Sequence, residues 1–125
     1  MKIRQAAPAI TDADILNYAL TLEHLEDTLY REGLANFTEE MFSTAGFDST
    51  FYANLKEVSS DESTHVSFLT AALTKAGATP VAACTYNFGV TDVKSFIATA
   101  SILEGVGVSA YLGAAADIMS KADRK

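Results

Sequence analysis

Residues 14–30 read DILNYALTLEHLEDTLY, an apolar helix face interrupted by two glutamates. Ile15, Tyr18, Leu22, Leu25, Leu29 and, beyond them, Leu34 recur at the three-and-four spacing that gathers side chains on one side of an α-helix. At about 100° per residue, Glu23 and Glu26 fall inside the arc formed by Ile15, Ala19, Leu22, Leu29 and Tyr30, whereas His24, Asp27 and Arg31 fall outside it. Amphipathic helices ordinarily send their carboxylates to water, so two that face inward require a physical reason.

The helix should begin after Thr11, with Asp14 as its capping-box partner, and stop near Phe37 after Gly33 weakens its last turns. Thr38 to Gly46 reads as a short helical turn with a glycine exit. Asp48 or Ser49 then caps a second long helix, whose face is Phe51, Leu55, Val58, Leu69, Ala72, Leu73 and Ala76, ended by Gly77. The Thr91-Asp92 pair opens a third, with Val93, Phe96, Ile97, Ala100, Leu103, Gly107, Tyr111, Ala114, Ala115 and Ile118 on one face. Gly105, Gly107, Ser109, Ala110 and Gly113 make this helix slender, which permits close approach but demands tertiary support.

Residues 78–90 lack periodicity and contain Pro80, Cys84, Asn87 and Gly89. Extended, such a link reaches on the order of 40 Å, about the length of a 27-residue helix. It can therefore run the length of a bundle and start the third long helix parallel to the second. The expected architecture is all-α, with three long helices.

At 125 residues the chain suits one domain, and with 49% apolar residues it can bury a core. Its net charge of −7 argues against a nucleic-acid partner, and no basic amphipathic stretch points to a membrane surface. Ile97 to Met119 is apolar, but Glu104 and Asp117 make it a poor membrane span. The single cysteine, Cys84, excludes an internal disulfide and a cysteine-rich zinc site, and its alanine neighbours suggest a packed thiol. Basic residues near Met1 lack an apolar run behind them, so residues 1–11 read as a flexible leader rather than an intact signal peptide. Residues 121–125 are polar and should fray.

The inward glutamates recur on the other helices. Glu62 lies between Val58, Leu55 and Leu69, with His65 on the same side one turn later, and Glu104 lies amid Ala100, Ile97, Gly107 and Tyr111. Asp61 falls at the edge, and His24 reads as a solvated surface residue. No basic residue shares these faces, because Arg31, Lys56 and Lys94 turn to the polar sides. Buried carboxylates without cations must be protonated, paired or bound to metal. A set of carboxylates with an imidazole suits iron first and manganese second. Glu62-Ser63-Thr64-His65 fits that use, since i and i+3 donors share one helix face. The alternative for His65 is a core histidine bonded to Glu26 or Glu62.

These features resemble the ferritin-like superfamily: residues 23–30 (EHLEDTLY) its first-helix ligand glutamate with a tyrosine two turns on, Glu62-x-x-His65 its second-helix motif, and Glu104 with Tyr111 a repeat of the seven-residue spacing. Residues 14–26, YREGL at 30–34, HVSFLTAAL at 65–73, CTYNF at 84–88 and LEGVGVSAYLG at 103–113 are similar to a branch of fungal stress-response and plant desiccation-related proteins. The resemblance spans about Asp12 to Asp117. It implies a ferritin-like helical domain over residues 12–120 and, often, export. It also implies a di-iron site with Glu23, Glu62, His65 and Glu104 as metal ligands and Glu26, Tyr30 and Tyr111 as secondary candidates. The family pattern has a fourth helix with a second Glu-x-x-His, and this sequence ends before it, so four of six ligands are expected here, the chain being a fragment or truncated form or another chain supplying that helix. A metal-free chain is then one expectation, and association of copies through exposed apolar helix faces another. Three functions compete: a di-iron oxidase, ferroxidase or peroxide scavenger, a non-enzymatic stress protein, and an interaction bundle with protonated glutamates. For Tyr30 and Tyr111, shielding a metal and plain core packing weigh equally.

Overall fold

The computed structural model describes residues 9–122, with side chains through residue 110. Most of the expected leader (1–8), residues 123–125 of the expected frayed end, and the Tyr111 side chain lie outside what is described.

Four helices follow in order: α1 (Asp12–Asn36), α2 (Glu39–Thr44), α3 (Ser49–Lys75) and α4 (Val93–Ala122), with no strand among the described residues. Each start has a local chemical cause. Thr11 Oγ1 accepts from the Asp14 amide at 3.1 Å and Asp14 Oδ2 accepts from the Thr11 amide at 3.0 Å, completing the expected capping box. Thr38 caps α2, Asp48 Oδ1 accepts from the Phe51 amide at 2.8 Å for α3, and Asp92 Oδ1 accepts from the Ser95 amide at 2.7 Å for α4. The chain leaves α3 through Gly77 at φ +79°, a left-handed turn that side chains disfavour.

Helix α1 is the centre, with α3 and α4 packed on it and little contact between those two. The crossover explains the arrangement. Asn17 near the start of α1 donates from Nδ2 to the Thr79 carbonyl at 3.1 Å and accepts the Val81 amide at 2.8 Å. His24, two turns on, meets the Val81 carbonyl at 2.9 Å. Residues 86–90 then reach Leu29, Gly33 and Phe37 at the far end of α1. The link thus runs the length of α1, and α3 and α4 emerge parallel to each other and antiparallel to it, as its length predicts.

The main core gathers Leu29, Tyr30, Phe42, Val93, Phe96 and Ala100, ringed by Phe37, Phe51, Leu55, Val58, Ile97 and Leu103. Phe96 meets Tyr30 and Phe42 edge-on, with ring centroids 6.2 and 6.1 Å apart, geometry worth about 0.5–1.5 kcal/mol per pair beyond area burial. It lies against Gly33, where any Cβ would overlap the ring.

The structure corrects three expectations. Tyr18 is 54% exposed rather than on the buried face, bordering an open cleft that Ile15, Ser109 and Ala110 also line. Cys84 is exposed rather than packed, since the crossover is bonded to α1 at Val81 and packs again from Tyr86, leaving residues 82–85 exposed between. His24 is half-buried and bonded rather than solvated, because the crossover lays a carbonyl in need of a donor over the outer face of α1. The stretch Val93–Ala110 has a mean hydropathy of 1.2, long and apolar enough by composition to cross a membrane. Here its Phe96, Ala100 and Gly107 are buried, facing Tyr30, Gly33 and Glu26 of α1.

Candidate metal centre

Midway along the bundle the three long helices turn acidic side chains toward one another. Glu23, Glu26 and Glu62 are buried, at 5%, 6% and 8% exposure, and Glu104 is half-buried. Helical register is the local cause. Glu23 and Glu26 sit one turn apart on α1 between buried Leu20 and Leu29, and Glu62 precedes His65 by one turn on α3.

Candidate donor atoms fall into two groups. Glu23, Glu62 and His65 offer donors that all lie within 4.8 Å of one another, and so do Glu26, Glu62 and Glu104. Two donors on opposite sides of one ion lie about 4.4 Å apart, twice a bond of about 2.2 Å. Glu62 belongs to both groups and joins them. His65 Nδ1 is 3.6 Å from Glu23 Oε2 and 3.8 Å from Glu62 Oε2. The His65 side chain is 55% exposed, so the expectation of a core histidine is not met. With Glu23, Phe68 and Leu69 it lines an opening of about 320 Å³ that reaches the Glu23 carboxylate. Tyr30 is almost fully buried, and its hydroxyl donates to Glu104 Oε1 at 2.8 Å, holding that carboxylate in place.

The electrostatics are those of crowded, dehydrated acids. Burial first, then the charges of Glu104 and Glu23, push the Glu26 carboxyl up to about 7, against a partial lowering by its contact with Glu62. Glu62 is pushed up to about 10 by burial, by its contact with Glu23 and by the charges of Glu23, Glu26 and Glu104. The Tyr30 phenol is raised above its ordinary range by burial and by its bond to Glu104. Among the described residues no lysine or arginine pairs with these carboxylates. Arg31, the nearest in sequence, pairs outward with Asp27 at 3.6 Å, and Asp27 accepts from the Ser63 hydroxyl at 2.6 Å. Glu62 Oε2 is enclosed and has no hydrogen-bond partner among the described residues. An enclosed lone pair facing other carboxylates is costly in a bare protein, and it is what a cation would satisfy. Oxygen donors with one imidazole fit iron or manganese. On these observations the residues fit the implied metal.

Glu23, Glu62, His65 and Glu104, singled out from the sequence, thus come together in space. Glu26 stands closer to the centre than its secondary rank suggests, since it shares a donor group with Glu62 and Glu104. What sequence reasoning missed is Gly107, the α4 residue directly against the Glu26 carboxylate. Its partner lies 81 positions away, and no local pattern joins the two.

A family model described as a ferritin-like domain matches residues 11–125. Comparison with curated proteins gives no match.

Proposed function

Because this chain belongs to the ferritin-like domain family, we propose that it is a carboxylate-bridged di-iron protein of the fungal stress-response and plant desiccation-related branch. One observation carries the metal reading: buried and half-buried carboxylates from three helices meet around a shared Glu62, with no lysine or arginine paired to them among the described residues. Glu62 would bridge, Glu23 and His65 would hold one ion, and Glu104 with Glu26 the other. Iron, when bound, supplies exchange between Fe(II) and Fe(III), the chemistry of a ferroxidase or oxidase, and manganese is the second choice. Tyr30 fixes Glu104 through its 2.8 Å bond, and the exposed edge of His65 marks the way in for ions and small reactants.

Elemental analysis of the purified chain tests this. Iron or manganese approaching two per chain, lost in Glu62→Ala, supports the reading, and metal-free protein that folds normally and takes up no added Fe(II) rejects it. A second reading is favoured by the upward shifts of Glu26 and Glu62: a metal-free stress or interaction bundle whose central glutamates keep their protons. Loss of neutral-pH stability on metal removal separates the two. Copies would associate through exposed apolar side chains of α3 and α4, including Phe68, Ile102, Val106 and Val108. Light scattering that finds a stable monomer at high concentration sinks that part alone.

A further inference from the structure

Beside the carboxylate cluster, another pair of side chains joins α1 to α3. The Ser63 hydroxyl donates to Asp27 Oδ1 at 2.6 Å, the length of a charge-assisted bond. Asp27 is held in turn by Arg31, one turn on along α1, whose Nη2 lies 3.6 Å from Asp27 Oδ2 and 3.5 Å from Thr28 Oγ1. The Asp27 side chain is 13% exposed, so its end of the bond is largely shielded from water. Both side chains are short, with the serine oxygen one bond beyond Cβ and the aspartate oxygens two. Their bond therefore ties backbone to backbone, where a bond between long side chains would leave the helices free to shift.

Its place in the helical register gives the bond leverage over the cluster. Ser63 follows Glu62 directly, and Asp27 lies one turn after Glu23. At about 100° per residue, Ser63 stands about 100° to one side of Glu62 on α3, and His65 about 60° to the other. The Asp27–Ser63 bond and the Glu23–His65 pair thus bracket Glu62 from opposite flanks. Only one flank is tight. His65 Nδ1 lies 3.6 Å from Glu23 Oε2 and 3.8 Å from Glu62 Oε2, beyond hydrogen-bond length, whereas the serine flank is closed. A roll of α3 about its axis by about 10° carries a side-chain tip at a radius of about 5–6 Å through about 1 Å. Metal–ligand distances hold to about 0.2 Å, so a roll of that size decides whether Glu62 and His65 reach an ion together with Glu23.

We propose that Asp27 and Ser63 are positioning residues for the cation site: their bond fixes the roll of α3 on α1 and presents Glu62 and His65 jointly to Glu23. Neither belongs to a donor group. This assignment rests on the metal reading of the preceding subsection. It goes further in giving two residues outside the donor groups a part in setting the affinity.

Metal-stripped full chain is titrated with Co(II), followed by the visible absorption of the bound ion, at a temperature where wild type and every variant are folded. There a bond that only stabilises the fold does not enter the binding constant, whereas one that positions donors does. Ser63→Ala should weaken Co(II) about tenfold, the lower end of what groups supporting metal ligands contribute, and Ser63→Thr, which keeps the hydroxyl, should restore it. In an Asp27→Ala background, itself weakened, Ser63→Ala should change nothing more. Asn17→Ala removes two hydrogen bonds about 15 Å away along α1 and should bind Co(II) as wild type does. Wild-type affinity in Ser63→Ala, no recovery in Ser63→Thr, a further loss in the Asp27→Ala background, or equal weakening in Asn17→Ala overturns the proposal and leaves the metal reading standing. A wild-type chain that binds no Co(II) overturns both.

Discussion

Glu62 concentrates the chemistry of this protein in one side chain. It is the member common to both donor groups, and its carboxyl is pushed up to about 10 by burial and by the acids around it. In the unfolded chain it ionises near the usual 4.5. Without metal, the folded state therefore holds a proton that the unfolded state has released, and stability falls as pH rises between those two values. Glu62→Gln cannot lose a proton and should escape the penalty. At pH 8 the metal-free variant is expected to melt on the order of 5 °C above the metal-free wild type, and at pH 4 the two should coincide. Calorimetry at the two pH values checks this. Equal melting temperatures at pH 8 would mean that water or a compensating cation already relieves the carboxylate. The same variant should bind metal more weakly, because an amide oxygen cannot bridge two ions as a carboxylate does.

At the scale of elements, two contacts determine where α4 and the crossover lie. Phe96 sits against Gly33, so α1 and α4 approach through a position with no side chain. Gly33→Ala gains about 1 kcal/mol in helix propensity but forces the most buried ring of α4 to move, a strain of about 1–3 kcal/mol. A net loss of roughly 1 kcal/mol in urea unfolding is the expected outcome, with Gly105→Ala, where nothing lies within 4 Å, as a stabilising control. The crossover is fastened at its beginning by Asn17, which bonds both the Thr79 carbonyl and the Val81 amide. Asn17→Ala removes two bonds of about 1 kcal/mol each next to an exposed run. Limited proteolysis within residues 81–85 should then speed up by roughly tenfold or more, while global unfolding changes little. If cleavage remains at the wild-type rate, the anchor lies elsewhere along the crossover.

For the molecule as a whole, pH and metal should act against each other. Glu26 is raised to about 7 and Glu62 to about 10, so a metal-free bundle gains stability from both as pH falls toward 4.5 and loses it as pH climbs through those values. Cation binding replaces the protons and should flatten the profile. At a hundredfold excess over Kd each site adds about 2.7 kcal/mol. Melting temperatures measured from pH 5 to pH 9 with and without Fe(II) under anaerobic conditions should diverge steadily with rising pH. Parallel curves would show that protons and the metal do not compete for these carboxylates.

The helix boundaries, the caps at Thr11, Asp48 and Asp92, and the length of the crossover were legible in the chain because each rests on interactions within a few residues. So was the inward register of Glu23, Glu26, Glu62 and Glu104, because 100° per residue is a local rule that needs no neighbour. Tyr18, His24 and Cys84 were misplaced for the opposite reason: what covers a surface residue is another segment, and only the packed chain shows that Tyr18 borders an open cleft or that Val81 brings a carbonyl. The grouping of acids into two donor sets sharing Glu62, and the seat of Glu26 on Gly107, also waited for the tertiary structure. Distances between helices depend on how side chains of different volume interlock, and a single sequence carries that information only in the sum of all its contacts.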